Sequence, residues 1–157
     1  MSEAEPNPPL SSAGSEAPSR DGALEPFVLD GRLEADTHPV VALGLCELRL
    51  MDDSRWPWLI LVPRRRDVRE VHALRPLDQV LLTHEQVLVS GALQAVTGCR
   101  SVNVAALGNV VAQLHVHVVA RDRGDPNWPA PVWGHGERIG YRSAERDALI
   151  ERVREAL

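Results

Sequence analysis

The stretch GNVVAQLHVHVVAR, Gly108 to Arg121, sets two histidines one residue apart inside an almost wholly apolar run. A β-strand repeats every two residues. A strand from Gln113 to Arg121 therefore puts Gln113, His115, His117, Val119 and Arg121 on one face and Leu114, Val116, Val118 and Ala120 on the other. The second face belongs to a core, and the first carries chemistry. Imidazoles two residues apart on a strand stand about 6.5–7 Å from each other, within reach of a single phosphate-sized group.

Working outward, RSVNVAAL, Arg100 to Leu107, reads as the preceding strand. Gly108 and Asn109 are expected to supply a positive-φ turn between the two. Earlier, Val40–Met51 and Trp56–Pro63 read as two strands of a hairpin joined by the polar turn DDSR, with Pro57 and Pro63 near strand ends, where a missing amide is tolerated. The arginine triplet Arg64 to Arg66 opens a polar crossing and is read as a solvated turn or a polyphosphate rim. Pro76–Thr97 is predicted to be a helix, with apolar or small residues at 77, 80, 81, 88, 91, 92 and 95, Pro76 at its start and Gly98 just past its end. His84 falls on that stripe, in a packing or edge role.

After Arg121 the chain runs through Pro, Gly and two tryptophans, Trp128 and Trp133, to Gly140. This composition suits an ordered arm lying over the surface or over a partner subunit. A last helix is expected from Ser143, a candidate N-cap, with Leu149, Ile150, Val153 and Leu157 on one face. The sum is an α+β domain: an antiparallel sheet with the long helix on one face, a C-terminal arm and helix, and histidines on an open second face.

The chain has 157 residues, enough for one domain with a substantial core. Met1 to Pro26 is rich in Pro, Ser, Ala, Glu and Gly and is read as a disordered tail preceding a domain over 27–157. It lacks the basic start and apolar stretch of an export signal. Its five acids against Arg20 account for most of the net charge of −5. The remainder is nearly neutral, which gives no global electrostatic case for nucleic acid. No segment is apolar for long enough to cross a membrane. Cys46 and Cys99 are far apart in apolar surroundings, as reduced thiols of a cytoplasmic protein would be.

Three readings of the histidine pair compete. Both rings are half-exposed strand residues; or both ligate a metal, with a third ligand from His38, His72, His84 or His135; or one imidazole attacks phosphorus while its neighbour binds phosphate oxygens or moves a proton. The third also gives the adjoining Gly108-Asn109 turn a purpose, since its backbone N–H groups would stand beside the phosphate.

QLHVHVV resembles the histidine-triad motif of the HIT superfamily of nucleotide hydrolases and transferases, with Gln113 where the first histidine normally stands. LILVPRR, the long helix after it, and the order of Asn103, Gly108 and the histidine strand extend the likeness from about Pro39 to Arg121. The resemblance implies an α+β sheet paired with its twin in a homodimer, and a site for a nucleotide. It makes His115 the nucleophile and His117 the residue that contacts the phosphate. Asn103, Gly108, Asn109 and Gln113 fall to substrate binding, and Arg121, at the strand's end on the histidine face, is read as a contact to a distal phosphate of a dinucleoside polyphosphate or as a solvated strand-end charge. No metal or other cofactor is required by that scheme. Val110 stands where phosphoramidate-cleaving members have Ser, which favours phosphoanhydride substrates. The alternative is a nucleotide-binding or regulatory protein without turnover.

Overall fold

In a computed structural model the structure describes residues 27–157. The expected tail, residues 1–26, lies outside the described residues. Five strands form one antiparallel sheet: β1 (Thr37–Ala42), β2 (Cys46–Met51), β3 (Trp58–Pro63), β4 (Ser101–Ala106) and β5 (Val116–Arg121). They are ordered β1-β2-β3-β5-β4. The helices are α1 (Gly31–Asp36), α2 (Pro76–Thr97) and α3 (Ser143–Ala156), with a 3-10 turn at Val71–Ala73 before α2. The α+β class is as the sequence predicts.

β3 and β5 are central and buried on both faces, which is why WLILVP and VHVVAR read as nearly continuous apolar runs. On one face Leu48, Leu50, Leu59, Leu61, Val116 and Val118 pack beneath α2 and α3, against Leu82, Val89, Leu93, Ile150 and Val153. The face of α3 expected from sequence is the one that packs.

The opposite face is not open, as expected, but covered. Trp56, Trp58, Ile60, Val62 and Val119 are buried there under Leu33 from the N-terminal segment and Val132 from the arm. The segment before β1 and the arm after β5 both cross this face, and neither crossing has a periodicity that would reveal it.

Three further expectations are corrected. Val40–Met51 is not one strand but two, turning at Leu43–Leu45. The buried carboxylate of Glu85 on α2 accepts from the backbone N–H groups of Leu45 at 2.6 Å and Cys46 at 2.9 Å. The turn is thus stabilised by a residue forty positions away, and the local run is apolar through the break. α2 has the predicted ends, with Gly98 in the left-handed region (φ 67°) and its N–H bonded to the Gln94 carbonyl. Its buried face, however, is Asp78, Leu82, Glu85, Val89, Ala92 and Leu93, while Leu77, Val80 and Val87 are at least 65 % exposed. Two acids sit on the inner face because each has partners: Asp78 pairs with Arg65 and Arg75, and Glu85 holds the hairpin. Finally, Ser143 is the first residue of α3 and not its cap. Arg142 occupies that position without a side-chain bond.

Candidate active site

β5 begins at Val116, so His115 stands just before the strand and His117 within it. Gln113 explains the late start. Its amide binds the N-terminal segment at both ends, accepting from Asp30 N and donating to the Val28 carbonyl, each at 2.9 Å. The same Asp30 caps α1 through its carboxylate, which accepts from Arg32 N. Arg32 in turn donates to the Val110 carbonyl at 2.9 Å. The loop from 107 to 115 is therefore tied to the chain segment that roofs it.

His115 and His117 are 6 % and 5 % exposed, with ring centroids 4.8 Å apart and planes at 81°. His115 Nδ1 lies 2.7 Å from the Gln113 carbonyl oxygen. That oxygen only accepts, so Nδ1 carries a proton, and in the neutral ring the lone pair is on Nε2. His117 Nδ1 accepts from the indole N–H of Trp58 at 3.0 Å. Burial, reinforced by the neighbouring His115, pushes the His117 pKa down to about 3. Ile60 and Ala105 flank His117 across the sheet, and Trp133 from the arm packs edge-on at 5.5 Å.

Both histidines open on a cavity of about 330 Å³. Its walls are Leu33, Met51, Ile60, Leu107, Val110, Val111 and Trp133, and its polar groups are Arg32, Asp36, Asn109 and the two imidazoles. A space of this size, mostly apolar with a few convergent polar groups, has the character of a small-molecule site. A second hollow of about 240 Å³ lies beyond Trp133, among Arg55, His135 and Arg138.

Of the residues singled out in the sequence, the structure brings His115, His117 and Asn109 onto the cavity, with Gln113 behind His115. Gly108 faces a shallow hollow with Arg69 and Glu70. The predicted positive-φ turn is absent: neither Gly108 nor Asn109 is left-handed, and a Cβ on Gly108 would come no closer than 3.8 Å to Glu70. Arg121 is on the histidine face but is 1 % exposed, bonded to Asp125, the Asn103 side chain and the Ala130 carbonyl. The expectation that it reaches a distal phosphate is corrected: it anchors the arm. Asn103 accepts from Arg121 at 3.0 Å and does not line the cavity. Arg64 binds the carbonyls of the hairpin turn and Arg65 pairs with Asp78, so both have structural partners. Of the other histidines, His38 pairs with Asp52 at 3.4 Å, His135 packs on Trp56, and His84 is exposed on α2. Among the described residues no group of three or more His, Cys, Asp or Glu side chains is placed to hold a metal ion.

The sequence reading missed Leu33, Asp36, Met51 and Trp58 as parts of this site. Trp58 and Ile60 alternate correctly for a strand, but only the pairing of Ile60 with His117 shows which face they share. The cap signal Asp30, just before a helix, was the available hint for the N-terminal wall.

Fold and site together define an α+β protein whose cavity is built on a paired-histidine strand. The HIT domain family matches residues 32–124, and the chain belongs to that family. It is similar to a histidine triad protein from Sinorhizobium meliloti, with 54 % identity over 83 % of this chain and 97 % of that one, at a TM-score of 0.83. Histidine triad proteins from Bradyrhizobium japonicum (40 % identity, 84 % and 98 % covered, TM-score 0.83) and Marinobacter aquaeolei (40 %, 85 % and 97 %, 0.82) are similar as well. No curated protein matches the chain. No helix among the described residues is long and apolar enough to cross a membrane.

Proposed function

We propose that the protein is a nucleotide hydrolase that cleaves a phosphoanhydride bond, as in a dinucleoside polyphosphate, through a nucleotidyl-histidine on His115. The observation that carries this reading is the Nδ1 contact of His115 with the Gln113 carbonyl at 2.7 Å, which leaves Nε2 as a free base at a nucleoside-sized cavity. The apolar walls suit a base, and Asp36 offers an acceptor to sugar hydroxyls. Nε2 attacks the α-phosphorus, the P–O bond to the leaving phosphate breaks, and its electron pair departs with that oxygen. The imidazole becomes cationic, and the Gln113 carbonyl stabilises its Nδ1–H. Asn109 and His117 face the phosphoryl oxygens. Water then attacks phosphorus, releases a proton to solvent and frees His115 and the nucleoside monophosphate. This sequence of steps uses no metal or other cofactor.

The second reading is a nucleotide-binding or regulatory protein without turnover. It is favoured by the engagement of Gln113 with the backbone of Val28 and Asp30 at the position of the missing first histidine. Release of AMP from a panel of dinucleoside polyphosphates, with His115→Ala as control, separates the two. The expected result is turnover by the wild type, none by the variant, and nucleotide bound by both. Binding without turnover in the wild type supports the alternative.

We also propose a homodimer. β4 is an edge strand, and Val104 on it is 45 % exposed. Val104 pairs with Val118 and so points to the helix-covered face, and on that side of the sheet α2 exposes Leu77, Val80 and Val87. An edge strand and an exposed apolar helix face suit a second copy of the chain. The cytoplasm is the proposed compartment, in keeping with Cys46 and Cys99 as buried free thiols.

A further inference from the structure

The two histidines are bonded to different kinds of partner. A carbonyl behind His115 can only accept, whereas the indole N–H of Trp58 behind His117 can only donate. His117 Nδ1, 3.0 Å from that indole nitrogen, must hold a lone pair, since a proton there would face the indole hydrogen. The rings of Trp58 and His117 are 5.4 Å apart at 62°, and both side chains are buried, so water has little access to replace the contact.

We infer that Trp58 is a positioning residue that holds His117 as a neutral Nε2–H donor, fitting the site to leaving groups that depart without a proton. The inference rests on the reading of His115 and His117 as the phosphoryl-site pair. An imidazolium at His117 would need Nδ1–H, which the indole opposes. His117 therefore donates a hydrogen bond to a phosphoryl oxygen and keeps its proton. When Nε2 of His115 forms its bond to phosphorus, a phosphate leaving group carries off the bonding pair as an oxyanion stable near neutral pH. An amine leaving group requires a proton that His117 does not deliver. The charged groups on the same cavity are Arg32, bonded to the Val110 carbonyl, and Asp36, paired with Arg138. The groups packed directly on His117 are Trp58, Trp133 and His115.

The test is nitrogen-15 NMR of the histidine side chains in the full chain, without substrate. The expected spectrum has His117 with a lone-pair-bearing Nδ1 and a protonated Nε2 throughout pH 5 to 8, and a nitrogen–nitrogen coupling across the hydrogen bond to Trp58 Nε1. Trp58→Phe should abolish that coupling and let His117 exchange tautomers. If the variant does not fold, the wild-type coupling and tautomer decide alone. A protonated Nδ1 in the wild type, or an unchanged tautomer in folded Trp58→Phe, overturns the inference. A kinetic arm compares an adenylyl p-nitrophenyl ester with an adenosine phosphoramidate: the ester should be turned over at least tenfold faster by the wild type, and the ratio should fall in the variant. A correct tautomer without turnover of any substrate refutes the hydrolase reading while leaving the positioning role of Trp58 intact. Turnover that favours the phosphoramidate refutes the leaving-group consequence.

Discussion

Replacing Arg121 by Met should destabilise the protein by about 3–5 kcal/mol, the usual cost of removing one member of a buried ion pair. The guanidinium is bidentate on Asp125, at 2.6 and 3.0 Å, and the two side chains are 1 % and 9 % exposed. Methionine fills much of the volume but leaves the carboxylate without its cation, beside the N–H groups of Asp122 and Asn127. For about 130 folded residues, 1 kcal/mol corresponds to roughly 3–4 °C, so the melting temperature should fall by about 10–20 °C. The pH dependence gives a sharper check. Burial alone would raise the Asp125 pKa, but Arg121 and the two backbone N–H groups outweigh it and hold it down to about 2. A folded pKa below the unfolded one, about 3.9, stabilises the fold above that value by roughly 2–3 kcal/mol, and this is lost as pH falls toward 2. Without Arg121 burial dominates and the sign reverses: the carboxylate then destabilises the fold as pH rises through its range. The gap between wild type and variant should therefore widen from pH 3 to pH 7 in thermal melts, while other titrating groups cancel in the difference. Arg121→Met combined with Asp125→Asn should be more stable at pH 7 than Arg121→Met alone. A loss below about 1 kcal/mol, or a gap independent of pH, would refute the assignment of Arg121 to the arm.

Glu85→Ala leaves the buried N–H groups of Leu45 and Cys46 without their acceptor and should cost about 2–5 kcal/mol in urea unfolding, with Glu85→Gln milder. Gln113→Ala removes two partly exposed bonds, so a loss of about 1–3 kcal/mol is expected, together with faster amide exchange at the Asp30 N–H. Val80→Asp with Val87→Asp alters residues 65 % and 68 % exposed; light scattering should show monomers where the wild type is a dimer, with little change in the monomer's own fold.

The elements that could be read from the sequence are those whose neighbours in the chain determine them. α2 has Pro76 and Gly98 as its punctuation, and both strands about the histidines keep a period of two. What escaped depends on residues distant in sequence. The break at Leu43–Leu45 depends on Glu85, and the inner face of α2 contains acids whose partners, Arg65 and backbone amides, no hydropathy pattern reveals. The same division runs through the site. His115 and His117 stand out as an interruption of an apolar strand. Arg121 and Gln113, on the same alternation, are polar for structural reasons, one holding the arm and the other the N-terminal segment. Trp58 reads as one more bulky strand residue until its indole is found against an imidazole.

The clasp of Gln113 on Val28 and Asp30 closes a chain separation of 85 and 83 residues with two hydrogen bonds. The sheet beneath is a thick apolar sandwich, whereas this roof is held by Leu33 and a few polar contacts. On a ribosome the roofing segment is made long before residue 113, which supplies its polar clasp, and the opposite wall waits for Trp133. The histidine strand is thus seated before its enclosure is complete, and the enclosure is the part with least to lose by opening. Any opening of residues 28–33 would have to break the Gln113 clasp, so a glutamine that a ligand need not touch bears on access to the cavity.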